Sequence, residues 1–355
     1  MRYFKIIIAV ILLVGCEEYF RPDIDASEPV YVFEGLITDQ PEPYKVRIMK
    51  TFGYSSKTEF VTDARVNVKC NDGRAHVLKL DSTGYYTSDP TKFVGEVGKS
   101  YQLDVYTMDN KHFESTIEEL LPCPDIENLN GLYFETKKIK TNGDIYYDEV
   151  EYGICATNTT ATAGYTPYYR YECKMILQTQ QRYTATGMTA DRYIYRPLLS
   201  TGSLFIADAN NYTNKKITNN QLYKTSTKTI LAGIDSLIEG MTDFTICNYG
   251  EFILVKQFSM NEKQYKFWKA VKDQQESSKY LFGQIENRPI GNITCKTGEK
   301  AFGYFGVSAV KQDFCALSLK HTNNTVKKYD IKYFPDTDTI VVYDSPQPFT
   351  KFFEN

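Results

Sequence analysis

Residues 65–80 read RVNVKCNDGRAHVLKL, and their pattern decides the fold class. Val66 and Val68 alternate with Asn67 and Lys69, the period of a strand with one face buried. Asn71-Asp72-Gly73 then supplies a hairpin turn, because glycine tolerates the positive φ such turns need. Ala75, Val77, Leu78 and Leu80 form the return strand. The same pattern extends both ways. Upstream, Tyr44, Val46, Ile48 and Phe52 alternate with Lys45, Arg47 and Lys50, and Val30, Val32, Gly35, Leu36 and Ile37 form a β-rich run closed by Asp39-Gln40-Pro41. Downstream come Gly84-Tyr85-Tyr86, then Gly95 and Gly98 before Tyr101, Leu103, Val105 and Tyr106, and a turn at Asp109-Asn110 into His112–Ile117. Short strands at this spacing predict an immunoglobulin-like antiparallel sandwich of about seven strands over residues 29–121. Pro122-Cys123-Pro124 is a rigid break and marks its end.

Residues 122–355 predict a larger β-rich domain. Leu129–Ile139 turns at Asn142-Gly143 and returns through Ile145–Cys155; residues 166–180 and Phe252–Phe258 are further strands. The polar stretch from Gln181 to Asn220 predicts long loops around a weaker strand at Tyr193-Ile194-Tyr195. Residues 228–240 fit helix and strand alike. One amphipathic helix is expected at about 260–278. Ser259 is its N-cap, Glu262 completes a capping box, and Phe267, Trp268 and Val271 share a face. Trp268, the only tryptophan, anchors that helix on the sheet, and Ser277-Ser278 ends it. The fold class is mainly β.

The N-terminus tells where the protein resides. Arg2 and Lys5 precede an apolar run, Ile6 to Val14, and Leu13-Val14-Gly15-Cys16 places a small residue before a cysteine. This is a lipoprotein signal peptide, residues 1–15. The run falls short of the roughly 20 residues a membrane-spanning helix needs, so attachment to a bilayer must come from lipid on Cys16. Each buried methylene of an acyl chain contributes about 0.8 kcal/mol. Residues 16–28 then form a tether. Glu17 and Glu18 resemble the surface-export signals of Bacteroidota lipoproteins. The expected location is the outer membrane, exposed at the cell surface, with its periplasmic face as the alternative.

At 355 residues and 42% hydrophobic content the chain can bury two cores. A formal net charge of −3 gives no support for nucleic-acid binding. Of eight cysteines, seven remain beside Cys16, so at least one is free or bonds between molecules. Cys155 and Cys173 fall on runs that read as neighbouring strands and are the first candidate disulfide; Cys247, Cys295 and Cys315 supply a second. The alternative is that all are small buried hydrophobes. No CxxC or Cys/His cluster suggests zinc.

Arg288-Pro289-Ile290-Gly291-Asn292-Ile293 is followed by Ala301-Phe302-Gly303-Tyr304-Phe305-Gly306-Val307-Ser308-Ala309, behind a Tyr265-x-x-Trp268 helix. With Val32-Phe33-Glu34-Gly35-Leu36-Ile37-Thr38, Asp72-Gly73, Gly84-Tyr85-Tyr86 and Gly98-x-x-Tyr101-x-Leu103-x-Val105, this order resembles the Bacteroidota outer-membrane lipoprotein family of domain-of-unknown-function number 4249. Phe33 and Leu36 depart mildly from its pattern. The resemblance covers nearly the whole mature chain. It implies two β-rich domains on a lipid anchor, often encoded beside TonB-dependent receptors, and by analogy an accessory role with such a receptor. It brings no catalytic residues. Read physically, Gly291 and Gly303 permit tight turns or close backbone approach, and Asn292 caps a turn.

Chemistry-bearing constellations are sparse. His76, His112 and His321 lie far apart, and no G-x-S-x-G elbow is present. Asp336-x-Asp338 lacks the downstream acids of a calcium loop, and Asp144, Asp148 and Glu149 read as a soluble hairpin. No catalytic residue, metal or cofactor is expected. The 29 tyrosines stand out. Tyr165, Tyr168, Tyr169, Tyr171, Tyr193 and Tyr195 are dense enough that alternation would expose some, a candidate surface for a glycan, peptide or protein partner. The expected function is a lipid-anchored, non-enzymatic accessory protein that partners a TonB-dependent receptor in nutrient uptake. A surface adhesin or glycan-binding module is the alternative, and a hydrolase with a site between domains is a third reading.

Overall fold

The computed structural model describes residues 30–51, 58–141, 145–185, 188–198, 204–226, 244–277, 289–320, 326–329 and 341–343. The leader, Cys16 and the tether, together with residues 228–240 and His321, lie outside the described residues. The first nine strands are β1 (Val30–Thr38), β2 (Lys45–Thr51), β3 (Thr58–Phe60), β4 (Arg65–Cys70), β5 (Ala75–Leu80), β6 (Tyr86–Thr87), β7 (Ser100–Tyr106), β8 (His112–Ser115) and β9 (Glu118–Glu119). There follow β10 (Asn128–Thr141), β11 (Ile145–Thr160), β12 (Tyr168–Ala185), β13 (Met188–Leu198), β14 (Phe205–Asp208), β15 (Lys216–Ser226) and β16 (Phe244–Met260). A helix, α1 (Glu262–Ser277), precedes β17 (Ile293–Cys295), β18 (Ala301–Ser308), β19 (Val310–Lys320), β20 (Val326–Tyr329) and β21 (Val341–Tyr343).

The hairpin at residues 65–80 forms as its sequence requires. Lys69 pairs with Ala75, Gly73 has φ +87°, and Asp72 Oδ1 accepts the Arg74 N–H at 3.0 Å. Around it an 11-stranded sheet runs β17-β8-β7-β4-β5-β6-β2-β1-β18, with β3 on β2 and β9 on β7. The sheet folds over on itself. Phe113 of β8 lies 4.7 Å from Tyr31 and 4.9 Å from Phe33 of β1, although those strands stand near opposite ends of the order. Strand β5 is the corner, pairing with β4 through its first residues and with β6 through Lys79 and Leu80. Inward-facing Val46, Ile48, Val66, Val68, Leu103 and Val105 fill the space between the faces.

This sandwich is not built from residues 29–121 alone. Strand β18 lies parallel to β1, from Tyr31↔Ala301 to Thr38↔Ser308, and β17 pairs with β8. Phe305 and Val307 are buried in the same core. The break at residues 122–124 therefore ends a stretch of chain but not the set of strands in the sandwich. The pairing joins residues some 270 apart, and no local pattern carries that information.

The remaining strands make a three-stranded sheet, β10-β11-β15, and a seven-stranded sheet, β20-β19-β16-β12-β13-β21 with β14 beside β12. Leu129, Ile217 and Leu222 share one apolar cluster with Tyr169, Tyr171, Ile253 and Val255. The polar stretch expected to be long loops is largely strand. Met188–Leu198 zips onto β12 from Ala185↔Met188 to Met175↔Leu198, and β14 and β15 follow. Backbone pairing makes these strands where apolar alternation is weak.

Two local expectations are corrected. Cys155 on β11 and Cys173 on β12 belong to different sheets, so they do not sit on neighbouring strands; the Cys155 side chain lies outside the described residues. The helix cap is Asn261, whose side chain accepts the Gln264 N–H at 2.8 Å. Ser259 is still part of β16, and its hydroxyl donates to Leu121 O at 2.7 Å and accepts the Ala309 N–H at 3.0 Å. That serine pins the 122–124 break and the β18–β19 passage to one strand.

Candidate functional site

Successive side chains of a strand point to opposite faces. On β1 this sends Tyr31, Phe33 and Ile37 into the sandwich and Val32, Glu34 and Leu36 to its outer face. The register sets Tyr304, Glu34 and Arg47 side by side across β18, β1 and β2, with Phe302, Val32 and Met49 as the next row. Helix α1 lies against β18, with the Phe267 ring 5.0 Å from that of Tyr304. Strand β12 closes the other side. A cleft of about 370 Å³ opens between them, floored by the outer face of β1, β2 and β18 and walled by Gln264, Phe267, Trp268, Arg170 and Glu172, with Lys45 and Tyr85 at the opposite rim. Its size is in the range of small-molecule sites, roughly 300–1,000 Å³.

The cations here are held over aromatic rings. The Arg170 guanidinium stands 5.1 Å from the Trp268 ring and 4.5 Å from Phe258, and its Nη1 lies 2.7 Å from Glu172 Oε1. Arg47 lies 4.6 Å from the Tyr85 ring, and Lys45 approaches the same ring at 5.6 Å. Ring quadrupoles favour such contacts by about 0.5–2 kcal/mol. Gln264 is 1% exposed and fits because residue 306 is glycine, where a Cβ would lie 2.6 Å from Gln264 Nε2. That nitrogen reaches Ser308 Oγ at 3.5 Å, whereas Gln264 Oε1 and Arg170 Nε have no hydrogen-bond partner among the described residues. Burial above all, reinforced by the charge of Glu118, holds the Tyr304 phenol protonated far above its ordinary range.

Beneath this wall the Gly291-Asn292 turn locks β17 to β18. Asn292 Oδ1 accepts the Phe305 N–H at 2.9 Å, and its Nδ2 donates to Phe305 O at 2.8 Å and to Glu118 Oε1 at 3.1 Å. A Cβ on Gly291 would lie 2.1 Å from Gly303 O, and one on Gly303, at φ +98°, would lie 1.8 Å from Phe33 O. Glu118 is 2% exposed and also accepts from the Asn261 amide at the helix cap. The motif that looked like a conspicuous turn thus sets the distance between sandwich and helix.

The tyrosine cluster does not form one face. Tyr169 and Tyr171 are buried, and Tyr168 turns the other way to stack on Tyr265 at 4.7 Å. Tyr165 is 40% exposed. Tyr193 and Tyr195 sit on β13, with side chains outside the described residues. Alternation on β12 places Arg170 and Glu172, rather than the flanking tyrosines, at the cleft. The outward alternation of β1 and β2 could have singled out Glu34 and Arg47. Nothing local marks Gln264.

A second polar cluster, Asp104, His112 and Glu114, has side-chain ligand atoms close enough to hold a metal ion. It carries its own counter-charges. Lys69 Nζ lies 2.9 Å from Asp104 and 3.4 Å from Glu114, and Lys296 lies 3.1 Å from Glu114. Burial pushes Asp104 up, but its hydrogen bonds from Lys69 and His112 outweigh that and hold the carboxyl below its usual range. His76 stacks on Phe93 at 4.0 Å. Both histidines serve the fabric of the sandwich.

Compared with known families, residues 17–313 match the model described as "Domain of unknown function (DUF4249)". No curated protein and no solved structure matches the chain.

Proposed function

We propose that this chain, which belongs to the DUF4249 family, is a lipid-anchored outer-membrane protein of a Bacteroidota envelope that recognises a ligand for a neighbouring TonB-dependent receptor. The observation that carries the recognition half is the cleft. Its lining, among the described residues, offers carboxylates, cations, an amide and aromatic rings but no cysteine, histidine or serine. Glu34 is exposed and Glu172 is ion-paired with Arg170. The anchoring half rests on Leu13-Val14-Gly15-Cys16 and the polar tether. The receptor half rests on the family resemblance.

Intact-mass measurement of the chain extracted from membranes tests the anchor. An N-terminus at Cys16 carrying acyl mass, and release of the Cys16→Ser variant from the membrane fraction, are the expected results. An unmodified Cys16, or a variant that stays on the membrane unchanged, overturns it.

A further inference from the structure

The cleft has a feature that restricts its ligand. Strand β1, the middle of its floor, is paired on both sides, by β2 and β18. Strand β12 is likewise paired on both sides over residues 168–171, by β14 and β16. Over these residues neither β1 nor β12 offers an edge to the cleft, which disfavours a peptide bound there by strand addition and leaves recognition to side chains. Those present carry both signs of charge, Glu34 and Glu172 against Lys45 and Arg170, which disfavours a strongly charged ligand. They also disfavour a lipid tail, which would leave these groups desolvated and unpaired. Seven buried side-chain polar atoms lack a hydrogen-bond partner among the described residues, and three belong to residues lining the cleft: the acceptor Gln264 Oε1, the donor Arg170 Nε and the Tyr304 hydroxyl. Orphaned buried polar atoms are uncommon in native proteins and call for a partner.

We propose that the cleft binds a short neutral oligosaccharide. Hydroxyl groups both donate and accept, so one sugar can donate to Gln264 Oε1 and Glu34 and accept from Arg170 Nε. The sugar's C–H face is the electropositive surface that aromatic rings such as Trp268 attract. A volume of about 370 Å³ accommodates such a ligand. This inference rests on the recognition half of the proposed function and is independent of the anchor and the receptor.

Trp268 is the only tryptophan of the chain and lines the cleft, so its emission reports on this site alone. The full-length chain in detergent is titrated with α-glucan, β-glucan, xylan, mannan and chitin oligosaccharides and with a set of short extended peptides. A saturable change with at least one sugar is expected. Glu34→Ala and Gln264→Met should each weaken that sugar at least about tenfold, with thermal melting of Glu34→Ala unchanged. Recovered sugar should be intact. Response to no sugar, response to peptides instead, or unchanged affinity in Glu34→Ala overturns the proposal. Shortened sugars would leave the ligand class standing and overturn the non-enzymatic reading, which keeps the two failures apart.

Discussion

Asn292 does the work of a missing strand residue. Its amide bonds both the N–H and the C=O of Phe305, so Asn292→Ala strands two buried backbone groups at once. A loss of about 1–3 kcal/mol is expected, read as a lowered denaturant midpoint. Gly303→Ala should cost at least as much, since φ +98° is combined with a Cβ 1.8 Å from Phe33 O. Asp109 tests the electrostatics at the opposite tip. The Thr107 hydroxyl first, then the Tyr31 hydroxyl and the ammonium groups of Lys50 and Lys111, hold its carboxyl at about 2 against burial. A carboxyl depressed in the folded state stabilises at pH above its ordinary value of roughly 4 and loses that contribution as pH falls toward 2. Acid titration of Asp109→Asn should therefore show a shallower loss of stability across that window than the parent, and an identical slope would refute the assignment. The residue scale was partly legible in the sequence. Gly291, Asn292 and Gly303 announce a tight turn, but that the turn meets Phe33 and Glu118 depends on contacts across 170 residues or more.

At the scale of elements, β18 is the piece that the rest of the sandwich waits for. It covers one side of β1 and contributes Phe305 and Val307 to the core. A fragment of residues 29–121 alone would expose that edge and leave a void, so it should lack a cooperative thermal transition and dispersed amide resonances. Supplying residues 289–308 by a linker should restore both; a fragment that folds without them would refute the shared architecture. Strand alternation made β1, β2, β4 and β7 readable, because one face of each sends apolar side chains into the sandwich core. Helix α1 was readable by its periodicity, although its cap shifted from Ser259 to Asn261 because β16 runs on to Met260. Of the long polar strand β13 only Tyr193-Ile194-Tyr195 was readable, and β15 was not, since pairing with β12 and β11 rather than side-chain pattern defines them. The cleft was not legible: Trp268 read as the helix anchor, the candidate surface fell on the tyrosines of β12 and β13, and no local pattern carries the approach of β12 to β1.

For the whole molecule, the chain passes from β18 into β19 through Ala309, stitching the sandwich to the seven-stranded sheet. Gln257 ties the same junction, donating to Pro124 O at 2.8 Å and bonding Thr159 at 2.7 Å. A cleft bounded by both parts is therefore braced at their junction, as a recognition site requires. On a lipid tether such a body would present that cleft to whatever shares its membrane. Affinity recovery of the tagged chain from crosslinked outer membranes tests this most directly. Repeated co-recovery of a TonB-dependent receptor barrel is the expected result. Repeated recovery of the chain with no barrel would contradict it.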